Sequence, residues 1–592
     1  MADSDKKNIG GNQDEIAQLR NFSEIRAFFW NLISLKKSFI RKALSAYYAI
    51  HKKSTEKLLY RIYKNRNSAL FPLFCGMLAG LSQAPIYAFF LLPFAFTTLI
   101  RLIDFADNNK SLLKISALFN VGYCIPAFYW PAYGTYVFGF TKNMLPIFAS
   151  GIIFLSAILP TIAVFAFGLI STQIKPFRRI LLFACLWILA EYLRAFVIFH
   201  FPFGLIGYSV GFAAFMYQSV SIWGVLGLSF FLVLWSCSFY IVLFTDDKLL
   251  FIRYFRTFLI INISGIFVAT LGIVRLYNAK TEYYPHKVAI IQGNTSVRTD
   301  QLADFETYSK ITYKIQELTN GAIDIIIWPE SAGVPFNFQK HPKAVEYLDH
   351  FILPHQTFIF NGIRNDGNNI FNSMYIYDYE TLKYHDKHFL VPYGEYLPIF
   401  QKYKFGKAIA RSAGIGFSKG QKIKPIKTRH GIILPLICYE VTYSGHIGLA
   451  NAIKTHYIVN ITNDEWFGKT SGPFQHFDTT KFRAAEEGIS IVRASNNGFS
   501  AVIDPYGRVS SKKTELFKRD VILTKIPKKI PDETLFDIWG NVPLLTFAFF
   551  YIQYYILLFL YALHHHKVDG HVSRYLENRD KKKQDPDYKR RF

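Results

Sequence analysis

The sequence predicts a polytopic α-helical membrane protein with eight spans, in which an α/β domain outside the membrane is inserted between the seventh and eighth spans. Hydrophobic residues make up 51% of the 592-residue chain and aromatic residues 17%, whereas charged residues supply only 18%, against about a quarter in soluble domains. Long apolar stretches give way after residue 280 to short apolar runs bounded by turn residues. The composition excludes disordered, collagen-like and disulfide-rich classes.

A basic tail, residues 1–67, precedes the first span. It carries 14 Lys and Arg against 6 Asp and Glu, and the opposite tail, 564–592, carries 9 against 5 in a chain of net charge +25. Aromatic and aliphatic residues alternate with Lys and Arg over 28–42, which predicts a helix lying in the membrane interface; a solvated helix is the alternative. We attribute the excess of Lys and Arg over Asp and Glu to the orientation of the spans in the membrane and to attraction to lipid headgroups, rather than to nucleic-acid binding.

Eight apolar stretches are long enough to cross a bilayer, which needs about 20 residues each. They occupy about 69–86, 87–104, 112–133, 144–171, 180–199, 216–244 and 255–277, with the eighth near 541–563. No apolar core precedes Ser68, so we expect the first span to act as an uncleaved signal. The expected domains are therefore seven spans over 68–279, an outer domain over 280–530, the last span over 541–563 and a charged tail over 564–592.

The turns between the spans predict the orientation, because Lys and Arg beside a span tend to stay cytoplasmic. With the N-terminus inside, the cytoplasmic turns carry Arg101, Lys110, Lys114, Lys175, Arg178, Arg179, Lys248, Arg253 and Arg256. The opposite turns carry only Lys142. We therefore expect both termini in the cytoplasm and residues 280–530 outside.

The outer segment, 280–530, has the pattern of a layered α/β domain. Apolar runs of strand length, such as 288–293, 323–328 and 432–438, are separated in places by helical stretches such as 304–319 and 474–487. The segment is long enough to bury a core of its own. A reaction would be housed here.

Cys438 is the one cysteine of five that lies in the outer domain. Because it has no partner there, a disulfide framework is excluded. Cys438 ends an apolar strand and is followed by Tyr439 and Glu440, so the thiol is expected at a strand end. A buried structural cysteine is the alternative.

Two other predicted strand ends carry groups that a thiol nucleophile needs. The run 325–328 leads to Glu330, a carboxylate that burial would tune toward a general base. Lys387 precedes an apolar turn that reaches Glu395, and an ammonium can stabilise an oxyanion. No set of His, Cys, Asp and Glu residues has the sequence spacing of a zinc site. We interpret the row His564, His565 and His566 as a cluster at the membrane interface. No metal or cofactor is therefore expected.

Three motifs in this order, Trp328-Pro329-Glu330, the run 387–395 and Cys438-Tyr439-Glu440, resemble the Glu-Lys-Cys triad of the nitrilase (carbon–nitrogen hydrolase) superfamily. With eight spans around it, the domain resembles that of the apolipoprotein N-acyltransferase family. Further matches are Gln292-Gly293-Asn294, 417–420, Thr462-Asn463-Asp464, Trp466-Phe467-Gly468, Gly472-Pro473, Gln475-His476, 493–498, 191–194, Pro202, Gly207-Tyr208, Gln218 and 227–229. Two positions depart from the family pattern: Asp300-Gln301, where many members carry Trp, and Glu465, which replaces a small residue.

The resemblance implies an αββα domain and a two-step acyl transfer without a cofactor. Glu330 would accept the proton of Cys438, whose thiolate would take an acyl chain from a phospholipid as a thioester. Lys387 and the backbone amide of Tyr439 would stabilise the oxyanion, and Glu395 would hold Lys387 or Glu330. The free α-amine of a diacylglyceryl-modified apolipoprotein would then accept the chain. Tyr439 and Glu440 are supporting candidates, or simply parts of the strand end.

The resemblance also implies a bacterial inner-membrane enzyme with a periplasmic catalytic domain, and we expect a monomer. Since each exposed CH₂ costs ~0.8 kcal/mol, the site should open toward the membrane. The expected entrance residues are Phe336, Phe338, Tyr396 and Phe400, with packing in the α/β core as the alternative. Glu191 and Arg194, charged residues inside a predicted span, are expected to pair with each other or face the entrance.

Two rival functions stay open. One is a lipid transporter or lipid-binding membrane protein with an inert outer domain, which would leave the triad as coincidence. The other is a membrane-bound amidase that uses the same triad with water as acceptor.

Overall fold

The computed structural model describes residues 57–66, 68–137, 139–171, 174–243, 248–296, 300–332, 338, 342–396 and 416–568. The predicted interfacial helix near 28–42 and the charged tail beyond residue 568 lie outside the described residues. The described chain forms a helical bundle, then an α/β unit, and ends in a long apolar helix.

The helices of the bundle follow the apolar stretches of the sequence. They are α1 (Leu70–Gly80), α2 (Leu92–Asp104), α3 (Asn109–Phe128), α4 (Tyr133–Val137), α5 (Leu145–Ile170), α6 (Pro176–Tyr192), α7 (Val220–Leu243) and α8 (Lys248–Tyr277). Six helices of the described chain are long and apolar enough to cross a membrane: Asn109–Phe128, Lys142–Ile170, Pro176–Val197, Val220–Leu243, Leu249–Tyr277 and Val542–Ala562. The chain is therefore a membrane protein with several spanning helices.

The first two predicted spans form shorter helices. α1 has 11 residues and α2 has 13, and at 1.5 Å per residue α1 is about 16 Å long, against about 30 Å of hydrocarbon. Polar residues and Pro85 end α1 early, because proline has no N–H for a helix. The side chain of Gln83 is buried in this turn, where it donates to the Tyr123 hydroxyl and the Leu205 carbonyl, both at 3.3 Å. The turn occupies 81–88 and includes Pro85, near which the sequence placed it.

Small residues hold α1 against α3. A Cβ atom on Gly76 would lie 1.9 Å from the carbonyl oxygen of Phe119, and one on Gly122 would lie 2.1 Å from that of Leu73. Glycine at both positions lets the two backbones approach closely, as small residues do in membrane helix pairs. Helix contact, rather than length, therefore secures α1 in the bundle.

The α/β unit contains two sheets. Its strands are β1 (Tyr283–Gln292), β2 (Ile325–Ile327), β3 (Thr357–Asn365), β4 (Ile370–Tyr377), β5 (Leu382–Asp386), β6 (Ile426–Thr428), β7 (Gly431–Ile437), β8 (Tyr457–Thr462), β9 (Ile491–Ser495), β10 (Ala501–Ile503) and β11 (Asp520–Pro527). The strand orders are β11-β1-β2-β3-β4-β5 and β10-β9-β8-β7-β6. Strands β1 to β3 are parallel, as are β7 to β9.

The sheets pack face to face with helices on both outer sides. The remaining helices are α9 (Gln301–Thr319), α10 (Leu449–Lys454), α11 (Gly472–Glu487), α12 (Leu535–Trp539) and α13 (Val542–Val568). Val288 and Ile433 belong to the apolar cluster between the sheets. Tyr308 of α9 packs with Trp328 outside the six-stranded sheet, and Phe477 of α11 packs outside the five-stranded sheet. The order helix, sheet, sheet, helix is the αββα architecture.

Helix α11 joins the α/β unit to the bundle. Phe477 and Ala484 pack toward the five-stranded sheet, while Phe482 and Ala485 belong to the apolar cluster of the bundle. The ring of Phe482 stacks on Tyr217 with centroids 4.5 Å apart. Most residues of α11 are buried although many of them are polar, so α11 forms a shared layer between the two parts.

Candidate active site

The three residues of the predicted triad meet at one edge of the two sheets. Glu330 follows β2, Lys387 follows β5 and Cys438 follows β7. β5 runs in the same direction as β2 and β3, because β4 is antiparallel to both of its neighbours. The three residues are buried, with 5%, 1% and 5% of their surface exposed. The strand ends therefore bring a carboxylate, an ammonium and a thiol into one enclosed site.

Lys387 is held between two carboxylates. Its Nζ lies 2.8 Å from Oε1 of Glu395 and 3.5 Å from Oε1 of Glu330. Burial acts to lower the pKa of Lys387, but the two carboxylates outweigh it and raise the pKa above the ordinary lysine value. Lys387 therefore stays an ammonium at neutral pH.

Both carboxylate oxygens of Glu330 accept a hydrogen bond. Oε1 accepts from Nδ2 of Asn372 at 2.8 Å, and Oε2 accepts from the backbone N–H of Asn463 at 2.9 Å. Asn372 belongs to β4 and Asn463 follows β8, so one donor comes from each sheet. These two donors fix the orientation of the carboxylate within the site.

Cys438 opens the single turn of 3₁₀ helix Cys438–Thr442 with φ at 51°. A residue other than glycine seldom adopts a positive φ, and such backbone strain is concentrated at functional sites. Its Sγ accepts from Oγ1 of Thr462 at 3.2 Å. Burial and the charge of Glu330 raise the pKa of the thiol, against the opposing effect of Lys387. The resting sulfur therefore carries its proton, and a thiolate has to be made by proton transfer.

Asn372 is a site residue that sequence reasoning missed. Its Nδ2 donates to Oε1 of Glu395 at 3.1 Å as well as to Glu330. The second oxygen of Glu395 accepts from the N–H of Val391 at 2.9 Å. Asn372 thus bridges the two carboxylates that flank Lys387. Its only signal in the sequence is one amide inside the otherwise largely apolar run of β4.

Glu440 connects the turn of the nucleophile to the turn of the lysine. One carboxylate oxygen accepts from the N–H of His388 at 2.6 Å, and the other accepts from the N–H of Ile437 at 2.8 Å. Burial acts to raise the pKa of Glu440, but His385 and these backbone donors outweigh it and lower the pKa. Glu440 is therefore an ionised link between the two strand ends.

Tyr439 places the bundle next to the nucleophile. Its hydroxyl donates to the carbonyl of His200, and its ring lies 5.9 Å from that of Phe203. Tyr439 and Tyr443 belong to the same apolar cluster as the bundle helices. One wall beside Cys438 is therefore built by the membrane part of the chain.

A buried network of Asp464, His476 and Arg493 lies behind Cys438. Asp464 is 2.8 Å from Nδ1 of His476 and 3.0 Å from Nη2 of Arg493. Nε2 of His476 lies 3.3 Å from the carbonyl oxygen of Cys438. Burial acts to raise the pKa of Asp464, but Arg493 and His476 lower it to about 2. In the sequence these positions matched the family pattern, but no role was assigned to them. Because they lie on three separate elements, the sequence does not reveal that they form one network.

Of the residues predicted to line the lipid entrance, Phe338 lies in the core of the α/β unit instead. Phe336 and Phe400 lie outside the described residues. Phe338 is 5% exposed and packs against Phe360 and Tyr375 at centroid distances of 5.8 and 5.2 Å. Phe338 therefore belongs to the core between the six-stranded sheet and α9, as the alternative interpretation had it.

Tyr396 is the entrance candidate that lies beside the site. Its carbonyl accepts from the N–H of Tyr393 at 2.8 Å, which closes a turn around Glu395. Burial raises the pKa of Tyr439, and Tyr443 and Tyr396 raise it further. Tyr396 stays a candidate for the lipid entrance.

Glu191 and Arg194 support the loop that Tyr439 contacts. Glu191 accepts from the N–H of Ile206 at 2.8 Å, and Arg194 donates to the carbonyl of Phe201 at 2.9 Å. Each side chain is buried and bonded to loop backbone. Both side chains therefore fix this loop.

The two departures from the family pattern have local structural roles. The side chain of Asp300 caps α9 by accepting from the N–H of Leu302 at 3.4 Å. Glu465 accepts from the hydroxyl of Ser296 at 2.7 Å. Neither position alters the hydrogen bonds described for Glu330, Lys387 and Cys438.

Comparison with known proteins gives matches over both parts of the chain. Residues 75–238 match the family described as apolipoprotein N-acyltransferase N-terminal domain, and residues 287–530 match the carbon–nitrogen hydrolase family. Apolipoprotein N-acyltransferase from Rickettsia prowazekii is 32% identical over 509 residues, which cover 82% of this chain and 98% of the relative. The protein of the same name from Allorhizobium ampelinum is 30% identical over 477 residues, covering 75% and 87%.

Solved structures also align with part of the chain. Saccharomyces cerevisiae Nit3, a member of branch 10 of the nitrilase superfamily, aligns with 44% of this chain and 94% of its own, at 17% identity and a TM-score of 0.32.

Proposed function

This chain belongs to the apolipoprotein N-acyltransferase family, and from this membership we propose how its residues carry out lipoprotein N-acylation. The chain transfers an acyl chain to the amino terminus of apolipoproteins. The acyl donor is a membrane phospholipid, and the acceptor is the free α-amine of a diacylglyceryl-modified cysteine. The observation that carries this proposal is the position of Tyr439, which directly follows the nucleophile and belongs to the apolar cluster of the bundle.

In the first half-reaction, Cys438 attacks an ester carbonyl of the phospholipid. Glu330 takes the thiol proton as the bond from Sγ to the carbonyl carbon forms. Lys387 and the backbone N–H of Tyr439 stabilise the oxyanion. The ester C–O bond then breaks, Glu330 returns the proton to the departing alcohol, and a lysophospholipid leaves behind an acyl thioester on Cys438.

In the second half-reaction, the α-amine of the acceptor attacks the thioester. Glu330 accepts a proton from the attacking nitrogen, and the same donors stabilise the second oxyanion. The C–S bond breaks as the proton passes to Sγ, which regenerates the thiol and releases an amide. The raised pKa of Cys438 supports this cycle, because a thiol that holds its proton at rest needs a nearby base in the first half-reaction and takes a proton back in the second.

The membrane topology is part of the proposal. We infer eight spans, cytoplasmic termini and a catalytic domain over 280–530 on the periplasmic side of the bacterial inner membrane. Contacts at the two ends of the second span support it. Tyr87 donates to Asp478 of α11 at 2.7 Å, whereas Asp104 lies 2.6 Å from Arg179 in a predicted cytoplasmic turn. The segment 87–104 thus reaches both the catalytic side and the basic side of the bundle.

Lipid access from the bilayer follows from the same arrangement. Phe389 and Val391, which lie between Lys387 and Glu395, also pack against the apolar cluster of the bundle. An acyl chain could reach Cys438 along this surface without leaving an apolar environment. We assign Tyr396 to the wall of this entrance.

Reconstitution in liposomes separates this function from its two rivals. The purified protein would receive a phospholipid with a labelled acyl chain and a synthetic diacylglyceryl-cysteinyl peptide, either with a free α-amine or acetylated. We expect labelled amide on the free peptide and none on the acetylated one. Labelled free fatty acid with both peptides would indicate a hydrolase, and unreacted phospholipid would indicate a transporter or lipid-binding protein.

A further inference from the structure

Three potential metal ligands meet at the end of the sheets opposite to Cys438. His286 lies in β1, Asp324 precedes β2 and His430 precedes β7. One ligand atom from each residue lies within 4.8 Å of the other two. No spacing along the chain indicated this cluster, because its members come from three distant segments. The structure therefore offers a metal site where none was expected.

The cluster is separate from the active site and bridges the two sheets. β2 runs from Asp324 toward Glu330, and β7 runs from His430 toward Cys438. At ~3.3 Å per residue, His430 lies roughly 25 Å from Cys438. Because β1 and β2 belong to one sheet and β7 to the other, a ligand bound here would connect the sheets far from the reacting groups.

Hydrogen bonds fix the tautomer of His430. Its Nδ1 lies 2.9 Å from Oγ1 of Thr357, whose hydroxyl donates to Asp378. The other oxygen of Asp378 accepts from the N–H of Arg429 at 3.0 Å, so this carboxylate is itself held in place. Since the proton of Thr357 is used on Asp378, Nδ1 of His430 is the donor to Thr357. The lone pair of Nε2 is then left for a ligand, as in metal-bound histidines that donate from their other nitrogen.

The other two groups are arranged to approach the same point. The rings of His286 and His430 lie 4.7 Å apart at an interplanar angle of 68°. One carboxylate oxygen of Asp324 accepts from the N–H of Lys287 at 2.7 Å, which orients the second oxygen. His430 is buried, while His286 and Asp324 are partly exposed.

We propose that His286, Asp324 and His430 bind one divalent transition-metal ion of the Zn²⁺ class, which ties the two sheets together. Two imidazoles and one carboxylate, with a water in the fourth position, suit the tetrahedral preference of Zn²⁺. Mg²⁺ and Ca²⁺ prefer sites built from oxygen ligands. The ion stabilises the α/β unit and takes no part in acyl transfer.

The test uses the full-length protein in detergent, purified without a polyhistidine tag. His564, His565 and His566 are replaced by Ser in every sample, because this row could chelate metal on its own. After treatment with a chelator, Zn²⁺ or Mg²⁺ is added, and bound metal per chain and unfolding temperature are measured. We expect one Zn²⁺ per chain in this parent. At about a hundred times the dissociation constant, its unfolding temperature should rise by about 5 °C or more.

Two variants and a control make the result specific. His286→Gln and Asp324→Asn should lose the bound Zn²⁺ and the rise in unfolding temperature, and Asn at 324 still accepts from Lys287. His350→Gln, an exposed histidine elsewhere in the unit, should match the parent. The proposal would be overturned if the parent and both variants bound Zn²⁺ equally, or if a folded parent bound none. It would also be overturned if Mg²⁺ raised the unfolding temperature of the parent as much as Zn²⁺ does. Loss of acyl transfer on removal of the metal, well below the unfolding temperature, would overturn the purely structural role.

Discussion

The ammonium of Lys387 lies 2.8 Å from the carboxylate of Glu395, which is closer than its 3.5 Å distance to Glu330. Glu395 is in turn held by Asn372 and by the N–H of Val391. A buried charge needs a well-bonded partner, and Glu395 supplies it. This arrangement supports the proposal that Glu395 balances the charge of Lys387 while Glu330 exchanges a proton with Cys438.

Replacing Glu330 should separate thiol reactivity from turnover. Glu330→Gln removes the base, so acyl transfer should fall by more than about 10³-fold. The same change removes a negative charge that raises the pKa of Cys438, so alkylation of Cys438 by iodoacetamide should reach its midpoint at lower pH. Rates of alkylation across pH 6–10 measure this shift. Glu465→Gln is the matched control, and an alkylation profile that does not move in Glu330→Gln would contradict the assigned base.

Replacing Lys387 should move the same profile in the opposite direction. The positive charge of Lys387 lowers the pKa of Cys438, so Lys387→Met should shift alkylation to higher pH. Loss of one oxyanion donor should also reduce acyl transfer by about 10²–10³-fold. Lys383→Met, at an exposed lysine of β5, serves as the control. Faster alkylation at neutral pH in Lys387→Met would refute the electrostatic account of the site.

Asn372 is expected to act as a positioning residue. Asn372→Leu keeps the side-chain volume but removes the donor to both Glu330 and Glu395. The turnover number should fall by about 10-fold or more, while KM for the acceptor peptide stays within about twofold, because the amide donates to the two carboxylates. Asn369→Ala, at an exposed turn, should leave both constants unchanged. A rise in KM with an unchanged turnover number would place Asn372 in substrate binding instead.

The buried carboxylate of Asp464 should contribute pH-dependent stability. Its pKa in the folded chain is about 2, below the ordinary value of 3.8. Asp464 therefore contributes about 2 kcal/mol to the free energy of unfolding. This contribution is fully present above about pH 4 and is lost as the pH falls through about 2. The stability difference between the wild-type chain and Asp464→Asn should shrink over this window. Asp532→Asn is the exposed control, and a difference that grows as the pH falls would contradict the assignment.

The meeting of Glu330, Lys387 and Cys438 could be predicted because each residue stands out locally in the sequence. Glu330 and Cys438 each end an apolar run, and Lys387 precedes one. Each of these residues can therefore be recognised in the amino-acid sequence. Parallel strands then bring such ends to one edge of a sheet. The layered α/β unit could be predicted for the same reason, from strand-length apolar runs between helical stretches.

Residues that act from inside elements could not be found in this way. Asn372 sits in the middle of β4 and has no motif around it, and Phe338 occupies a core position that a loop pattern does not reveal. The cluster of His286, Asp324 and His430 depends on how two sheets face each other, which no spacing along the chain encodes. The short α1 depends on the backbone contact at Gly76, and hydropathy does not register such contacts.

The central claim is that Cys438 carries the acyl chain as a thioester. The protein would be incubated with labelled phospholipid without acceptor, and the label located by peptide mass spectrometry before and after hydroxylamine. The account predicts one hydroxylamine-sensitive acyl group on Cys438, which moves to the α-amine when a diacylglyceryl peptide is added. Cys438→Ala should show neither label nor product, while Cys185→Ala, at a buried thiol of the bundle, should behave as the wild type. Label on another residue, or turnover by Cys438→Ala above a trace, would contradict the account.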